Sequence, residues 1–359
     1  MEEQALLLAS RSPLDEGTGA RLRSLLSREV DWSYLIRLAE RHCTAPLLSH
    51  ALESCASGRV PDDARAGLTE HLRGITFRSE QLSDALSALI ERFATGGVEA
   101  IPLKGPALGE LLYGDSSLRP CRDLDVLVRP EQLGEALDLC SGLGYELASQ
   151  ERAVPTRDTG ALAAVMRRDY NLSLTRGGSG IALEVHWRPA PQHLLPLDPS
   201  WFWKRSVAGT FRATPVRTLC PEDLLITLSA HGTKHWWSRL SWLCDIAQLV
   251  RADPPSVARF VEEHAAGIGC RRMCSLALIL AGDLLEAPLP PAIRAALDAE
   301  RAAVALAGGI RRRMFRQDSR PMGEMQEALF LSRAMDQPGR RFRYLLYEAR
   351  HAVLAGLGA

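Results

Sequence analysis

Between residues 20 and 95 the apolar positions recur at spacings of three and four, the period of helices with one buried face. The segment LRSLLSREVDWSYLIRLAERHCTAPLLSHAL carries this pattern, and Asp31 stands where a helix N-cap would. A turn-like patch, SGRVPDD, separates it from a second long helical stretch, ARAGLTEHLRGITFRSEQLSDALSALIERFATGG, which Gly96 and Gly97 are placed to stop. The period then changes. VEAIPLKG predicts a short strand running into a glycine turn, and PALGELLYGD a helix with Pro106 near its start. LDVLV predicts a compact strand ended by Arg129-Pro130, and EQLGEALDLCSGLGYEL an amphipathic helix closed by glycine. YNLSLTR and IALEVHW predict two more strands, separated by the turn GGSG. After the loop RPAPQHLLPLDPS the helical period resumes, most strongly in TLCPEDLLITLSAHGTKHWWSRLSWLCDIAQLVR, and runs to about residue 352.

The expected class is α+β: a small mixed sheet flanked by helices on both sides in sequence. The period changes divide the chain into an N-terminal helical region (1–95), an α/β core (96–215) and a C-terminal helical domain (216–359). At 359 residues, two or three packed units are expected.

Composition narrows the partners. The chain is 46% hydrophobic and 24% charged, as an ordinary globular protein is. Lys+Arg and Asp+Glu are both 43, so net charge does not point to nucleic acid or to a membrane surface. No apolar run approaches the length that spans a bilayer. The N-terminus, MEEQALLLASRSPLDEG, lacks the basic start of a signal peptide, which makes the cytoplasm the expected compartment. The eight cysteines are scattered without a CxxC pair and read as small buried thiols. Lysine is rare: of the 43 basic residues only Lys104, Lys204 and Lys234 are lysines, and two of them fall in the segments that carry chemistry.

In RDLDVLV, residues two apart on a strand share a face, so Asp123 and Asp125 project together. Carboxylates held that close repel unless cations neutralise them, and hard, oxygen-seeking Mg²⁺ or Mn²⁺ match the ligand type. In IALEVHW the same alternation buries Leu183, Val185 and Trp187 and presents Glu184 and His186 on the other face. A third carboxylate from a neighbouring strand would complete a two-metal site. IPLKGPAL is a strand–glycine–helix junction: Gly105 permits close backbone approach, the helix N-terminus suits a phosphate, and Lys104 adds a point charge. Further along, His231, Lys234, His235, Arg239 and Trp242 recur at helical spacing beside Trp236 and Trp237, which allows either a substrate wall or a packing surface. His231 and His235 have the spacing of zinc ligands but lack the glutamate of HExxH and an evident third ligand. Asp245 is placed to pair with a cation of this segment or to touch substrate. Arg119 and Arg122 are placed to reach phosphate or to form surface ion pairs.

Together these segments resemble a known family. The run LKGPALGELLYGDSSLRPCRDLDVLVRPEQLGEALDLCSGLGYE looks like the opening of the bacterial uncharacterised nucleotidyltransferases, within the DNA polymerase β-like superfamily. The resemblance continues through LEVHWRP and CPEDLLITLSAHGTKHWWSRLSWLCDIAQL and reaches back to DWSYLIRLAERHCTAPLL, covering most of the chain. It implies a small mixed sheet bearing metal carboxylates, and transfer of a nucleoside monophosphate from an NTP, ATP being the expected donor, to an acceptor. Carried over by position, Asp123 and Asp125 match the paired ligands of Mg²⁺ or Mn²⁺, and Glu184 the third carboxylate. Lys104, Gly105, Arg122, Lys234 and His235 are the expected nucleotide contacts. One departure matters: the superfamily usually carries Gly-Ser at the phosphate turn, and this chain carries Lys104-Gly105-Pro106, whose proline has no N–H to donate.

Three readings follow. The first is nucleotidyl transfer to a hydroxyl of a small molecule or peptide, with pyrophosphate released. The second is modification of a protein by the same chemistry. The third is a degenerate fold that binds nucleotide or a partner without turnover, for which the altered turn speaks and the retained carboxylates speak against.

Overall fold

The computed structural model describes residues 1–149, 158–254, 257, 260–261, 265–316 and 323–357. Five helices come first: α1 (Glu2–Ala9), α2 (Glu16–Leu25), α3 (Trp32–Arg41), α4 (Ala45–Cys55) and the 34-residue α5 (Asp62–Thr95). Asp31 caps α3 as its position predicts, accepting the Tyr34 N–H at 2.8 Å. The long helix stops at Gly96, and Gly97 turns the chain out with φ +74°.

The α/β segment follows as β1 (Ala100–Pro102), α6 (Gly105–Tyr113), β2 (Asp123–Val128), α7 (Leu133–Gly142), β3 (Tyr145–Leu147), α8 (Thr159–Arg168), β4 (Asn171–Arg176) and β5 (Ile181–His186). Its sheet has the order β1-β2-β5-β4-β3. Only β2 and β5 run parallel; the other pairs are antiparallel. The sheet is therefore mixed, as expected. Several pieces lie outside the predicted elements, the helices α1 and α8 among them. The three-residue β3 is too short to show a period, and the hairpin of β6 (Val207–Phe211) and β7 (Thr214–Thr218) follows the short helix α9 (Ser200–Arg205).

Each sheet face has its own surroundings. Leu124, Val126 and Val128 of β2, with Leu183 and Val185 of β5, pack in one core with Leu82 to Phe93 of α5 and with α7. On the opposite face of β2 come Asp123, Asp125 and then Leu127, and Leu127 enters a second, larger core. That core also takes the buried residues of α1 to α4 and of the C-terminal helices. The apolar alternation thus holds the strands in one register, and the carboxylates face the junction with the helical body.

The helical body continues with α10 (Pro221–Lys234), α11 (Leu240–Ala252), α12 (Ala265–Ile268), α13 (Arg271–Leu285), α14 (Pro291–Ala299), α15 (Arg301–Met314), α16 (Glu324–Ala334) and α17 (Pro338–Leu357). The continuous helix expected across residues 221–251 is in fact two helices. α10 ends at Lys234, where Trp236 N–H donates to Thr233 O at 3.1 Å and Trp237 N–H to Gly232 O at 2.8 Å. Trp236 and Trp237 both take φ +54°, an unfavourable conformation for side chains of this size. Packing explains the break. The fully buried Trp237 ring lies where a Cβ on residue 232 would come within 2.5 Å of it, so only glycine admits it. Among the described residues, no helix is long and apolar enough to cross a membrane.

Candidate active site

Asp125 and Glu184 sit side by side, because β2 and β5 pair in parallel with Asp125 opposite Glu184 and Asp123 opposite Ala182. His186, two residues on from Glu184, shares its face. One imidazole nitrogen serves both acids: His186 Nε2 is 3.1 Å from Asp125 Oδ1 and 3.1 Å from Glu184 Oε2. Lys104 Nζ closes on the same Asp125 Oδ1 at 2.7 Å. Asp125 is thus buried at 3% exposure with the Lys104 ammonium and the His186 imidazole on one oxygen.

The turn that delivers Lys104 is built for close approach. Gly105 has φ +67°, and a Cβ there would lie 3.5 Å from the Asp123 carbonyl oxygen. A side chain in that left-handed conformation would cost about 1–2 kcal/mol. Leu103 N–H donates to the Asp125 carbonyl at 2.9 Å, locking the turn to β2. Pro106 falls in the first turn of α6, where its missing N–H breaks no helical bond.

Charge in the cleft is balanced from within. Burial alone would raise the Asp125 pKa, but Lys104 and the bond from His186 hold it well below the carboxylate range. Glu184 is also lowered: burial opposes, and the His186 bond prevails. His186 is raised against its burial by those two carboxylates. Lys104 is raised as well, Asp125 outweighing desolvation. Asp123 differs from its neighbours: burial and then the Asp125 charge push its pKa up.

The second wall comes from α10. His231 Nδ1 is 3.3 Å from Lys104 Nζ, and burial followed by the Lys104 charge keeps this imidazole neutral. His231, His235 and Trp242 form a ring cluster with centroids 4.9–5.3 Å apart. Burial, then Lys234, lowers His235 to about 4. Lys234 contacts the Tyr170 hydroxyl and lies 5.0 Å from that ring's centroid, while Tyr170 itself packs on His186. Burial lowers the Lys234 pKa and raises Tyr170 to about 12.

The structure therefore brings Lys104, Asp125, Glu184 and His186 into direct contact. Asp123 shares their face, and Lys234 and His235 approach from α10. Arg122 is exposed, and its backbone carbonyl accepts from Arg78 at 3.3 Å. Arg119 departs from the expectation of a phosphate or surface contact. It is buried, donates to Asp245 Oδ2 at 3.0 Å and reaches the Gly105 carbonyl at 3.4 Å. The Tyr113 hydroxyl donates to the same Asp245 at 3.0 Å. This triad braces the Lys104-Gly105 turn from behind and accounts for Asp245. Tyr170 and Tyr113 are the residues the pattern of the chain did not single out. Tyr170 had one available signal, its place just before a strand paired with the Glu184 strand.

Asp125, Glu184 and His186 each offer a ligand atom within 4.8 Å of the others, the group of this kind among the described residues. The carboxylates of Asp125 and Glu184 are the oxygen ligands that Mg²⁺ or Mn²⁺ take, with the His186 imidazole beside them, and Lys104 and His186 already bond the Asp125 oxygen from within the fold.

A search of curated proteins finds no match. Two solved structures show a distant likeness. An antigenic nucleotidyltransferase-like protein from Paracoccidioides brasiliensis has 17% identity and a TM-score of 0.35, over 62% of this chain and 94% of that one. ANT(2")-Ia in complex with adenylyl-2"-tobramycin has 15% identity and a TM-score of 0.28, over 61% and 98%. The family model of the uncharacterised nucleotidyltransferases matches far more directly, over residues 28–286. That span holds the Lys104-Gly105 turn, both carboxylate strands and the helices from α3 to α13, and it shows that the chain belongs to the uncharacterised nucleotidyltransferase family.

Proposed function

We propose that this chain moves a nucleoside monophosphate from an NTP, ATP in the first instance, to a hydroxyl of a small molecule or peptide, releasing pyrophosphate. The observation that carries the reading is Asp125 in register with Glu184 across parallel strands, with Lys104 against Asp125. Asp123, Asp125 and Glu184 are the proposed ligands of Mg²⁺ or Mn²⁺, with His186 beside them. When bound, such cations supply charge stabilisation at the reacting phosphate and at the leaving pyrophosphate.

The chain's own groups then orient the reactants. Gly105 brings backbone close to the triphosphate at the start of α6, and Lys104 supplies the charge that the missing serine cannot. Lys234 and His235 close the cleft from α10, and Arg122 flanks it beside Asp123. The acceptor oxygen forms its bond to the α-phosphorus as that phosphorus loses its bond to the bridging oxygen of pyrophosphate. The acceptor proton passes to Glu184, whose side chain is 31% exposed.

The test is pyrophosphate release with NTPs, Mg²⁺ or Mn²⁺ and a panel of hydroxyl acceptors. Asp125→Asn is expected to lower the rate by about 10²–10³-fold, the scale of losing one preorganised electrostatic group. NTP binding indifferent to metal and to both Asp123→Ala and Asp125→Ala would sink the site assignment. Intact-mass measurement of candidate proteins incubated with ATP separates protein acceptors from small ones.

A further inference from the structure

A cavity of about 740 Å³ opens between α15, α16 and the turn at residues 236–239. None of the residues assigned to the carboxylate cleft lines it. Every charged side chain described on its wall is an arginine: Arg41, Arg239, Arg312, Arg313 and Arg333. Among the described residues none of the five has a carboxylate at ion-pair distance. The chain has acids to spare, as many as its bases, and uses them on neighbouring arginines. Arg311, next in sequence, pairs with Asp283, and Arg272 pairs with Glu300 at 3.4 Å. Among the described residues, the positive charge of this cavity therefore has no internal counter-charge.

Two of the five are partly committed. Arg41 donates to the Met314 carbonyl at 3.1 Å, and Arg239 lies 5.6 Å over the Trp242 ring. Arg312, Arg313 and Arg333 are exposed at the rim. Between them the wall is apolar and aromatic, with Trp236 and Phe330 facing the same space as Leu306 and Ile310. The buried indole N–H groups of Trp236 and Trp237 have no acceptor among the described residues. The charged groups of the site are all donors, set around an apolar interior. Its volume lies in the range of small-molecule sites, roughly 300–1,000 Å³.

We propose that this cavity is a second binding site, for a small organic phosphate with a planar apolar body. Guanidinium forks bind phosphate oxygens bidentately, and the aromatic wall takes the apolar part. The site goes beyond the nucleotidyl-transfer reading and stands without it. It shares one element with the cleft: the turn it uses as a wall leads directly out of Lys234 and His235.

Isothermal titration of the full-length protein in chelator, with 1-naphthyl phosphate as probe, tests the proposal. One saturable site is expected, at least about tenfold tighter than for inorganic phosphate or for 1-naphthol, since both halves of the cavity contribute. The double variant Arg313→Glu, Arg333→Glu should weaken binding at least about tenfold, and Asp125→Asn should leave it unchanged. The milder Arg313→Gln, Arg333→Gln pair, with its melting temperature checked, guards against a variant that fails to fold. Absence of saturable heat overturns the proposal, as does binding indifferent to both arginine pairs. Loss on Asp125→Asn would place the probe in the carboxylate cleft, and tighter competition by a single-stranded oligonucleotide would replace the small ligand with nucleic acid; either result overturns it.

Discussion

Arg119 and the arginines of the cavity are one side chain put to opposite uses. Arg119 is 8% exposed and meets Asp245, 126 residues further along, while its guanidinium also holds the Gly105 carbonyl. The cavity arginines have carbonyls, rings or solvent around them and no carboxylate among the described residues. The difference follows from the cost of burying charge. A guanidinium taken out of water inside the fold needs its counter-charge built in, and the chain supplies one from α11. A guanidinium left at a rim keeps its hydration and is available to an anion from outside. The carboxylate cleft shows the same economy with reversed sign, because Lys104 and His186 compensate Asp125 before any ligand arrives.

The strongest way to break this comparison is to remove the built-in counter-charge. Asp245→Ala leaves Arg119 buried and unpaired and takes the acceptor from Tyr113. It is expected to cost about 3–5 kcal/mol, read from chemical denaturation, with Asp245→Asn in between. A cost below about 1 kcal/mol would mean that Arg119 is solvated after all, as the cavity arginines are.

A somewhat smaller effect belongs to the turn between the two regions. His42 Nδ1 accepts the Leu240 N–H at 3.2 Å, and the His42 carbonyl accepts from Ser241, so His42 anchors the start of α11. Burial, then the Arg41 charge, holds its pKa near 4 against an ordinary 6.5. Since the folded value is the lower one, this contribution is complete above pH 6.5 and is lost as pH falls from there towards 4. Its size is at most roughly 3 kcal/mol. His193, held near 4 by burial and then Arg340, acts in the same window, so the decisive measurement is a difference. His42→Asn should flatten the stability profile between pH 6.5 and 4; an unchanged slope would remove the anchor.

The smallest expected effect is the sharpest contrast. Arg313→Ala with Arg333→Ala should change stability by no more than about 0.5 kcal/mol, read from the melting temperature, because both are exposed and neither has an ion-pair partner among the described residues. A loss approaching that of Asp245→Ala would show these arginines to be structural.

Much of the sheet could be read in advance because a strand carries its evidence locally. Leu124 and Val126 alternate with Asp123 and Asp125, and Leu183 and Val185 with Glu184 and His186, so the buried and the chemical faces were both visible. Gly105 was legible for a similar reason, since a glycine between a strand and a helix is a local backbone requirement. The break at His235 was not. Residues 221–251 keep a helical period throughout, and only the packing of Trp237 against Gly232 interrupts it. The hairpin at 207–218, mostly half-exposed, had no strong alternation to show.

By itself the sequence determined the α+β plan, the carboxylate faces of two strands and the glycine turn with its lysine, because each depends on residues near one another in the chain. Tertiary structure alone decided that Asp125 stands opposite Glu184 rather than Asp123, that Lys104 and His186 converge on one oxygen, and that Asp245 belongs to Arg119. It also left five arginines around one cavity without a carboxylate partner among the described residues. Those outcomes depend on register between strands and on packing between distant helices, and no local period encodes which partner a charge will meet.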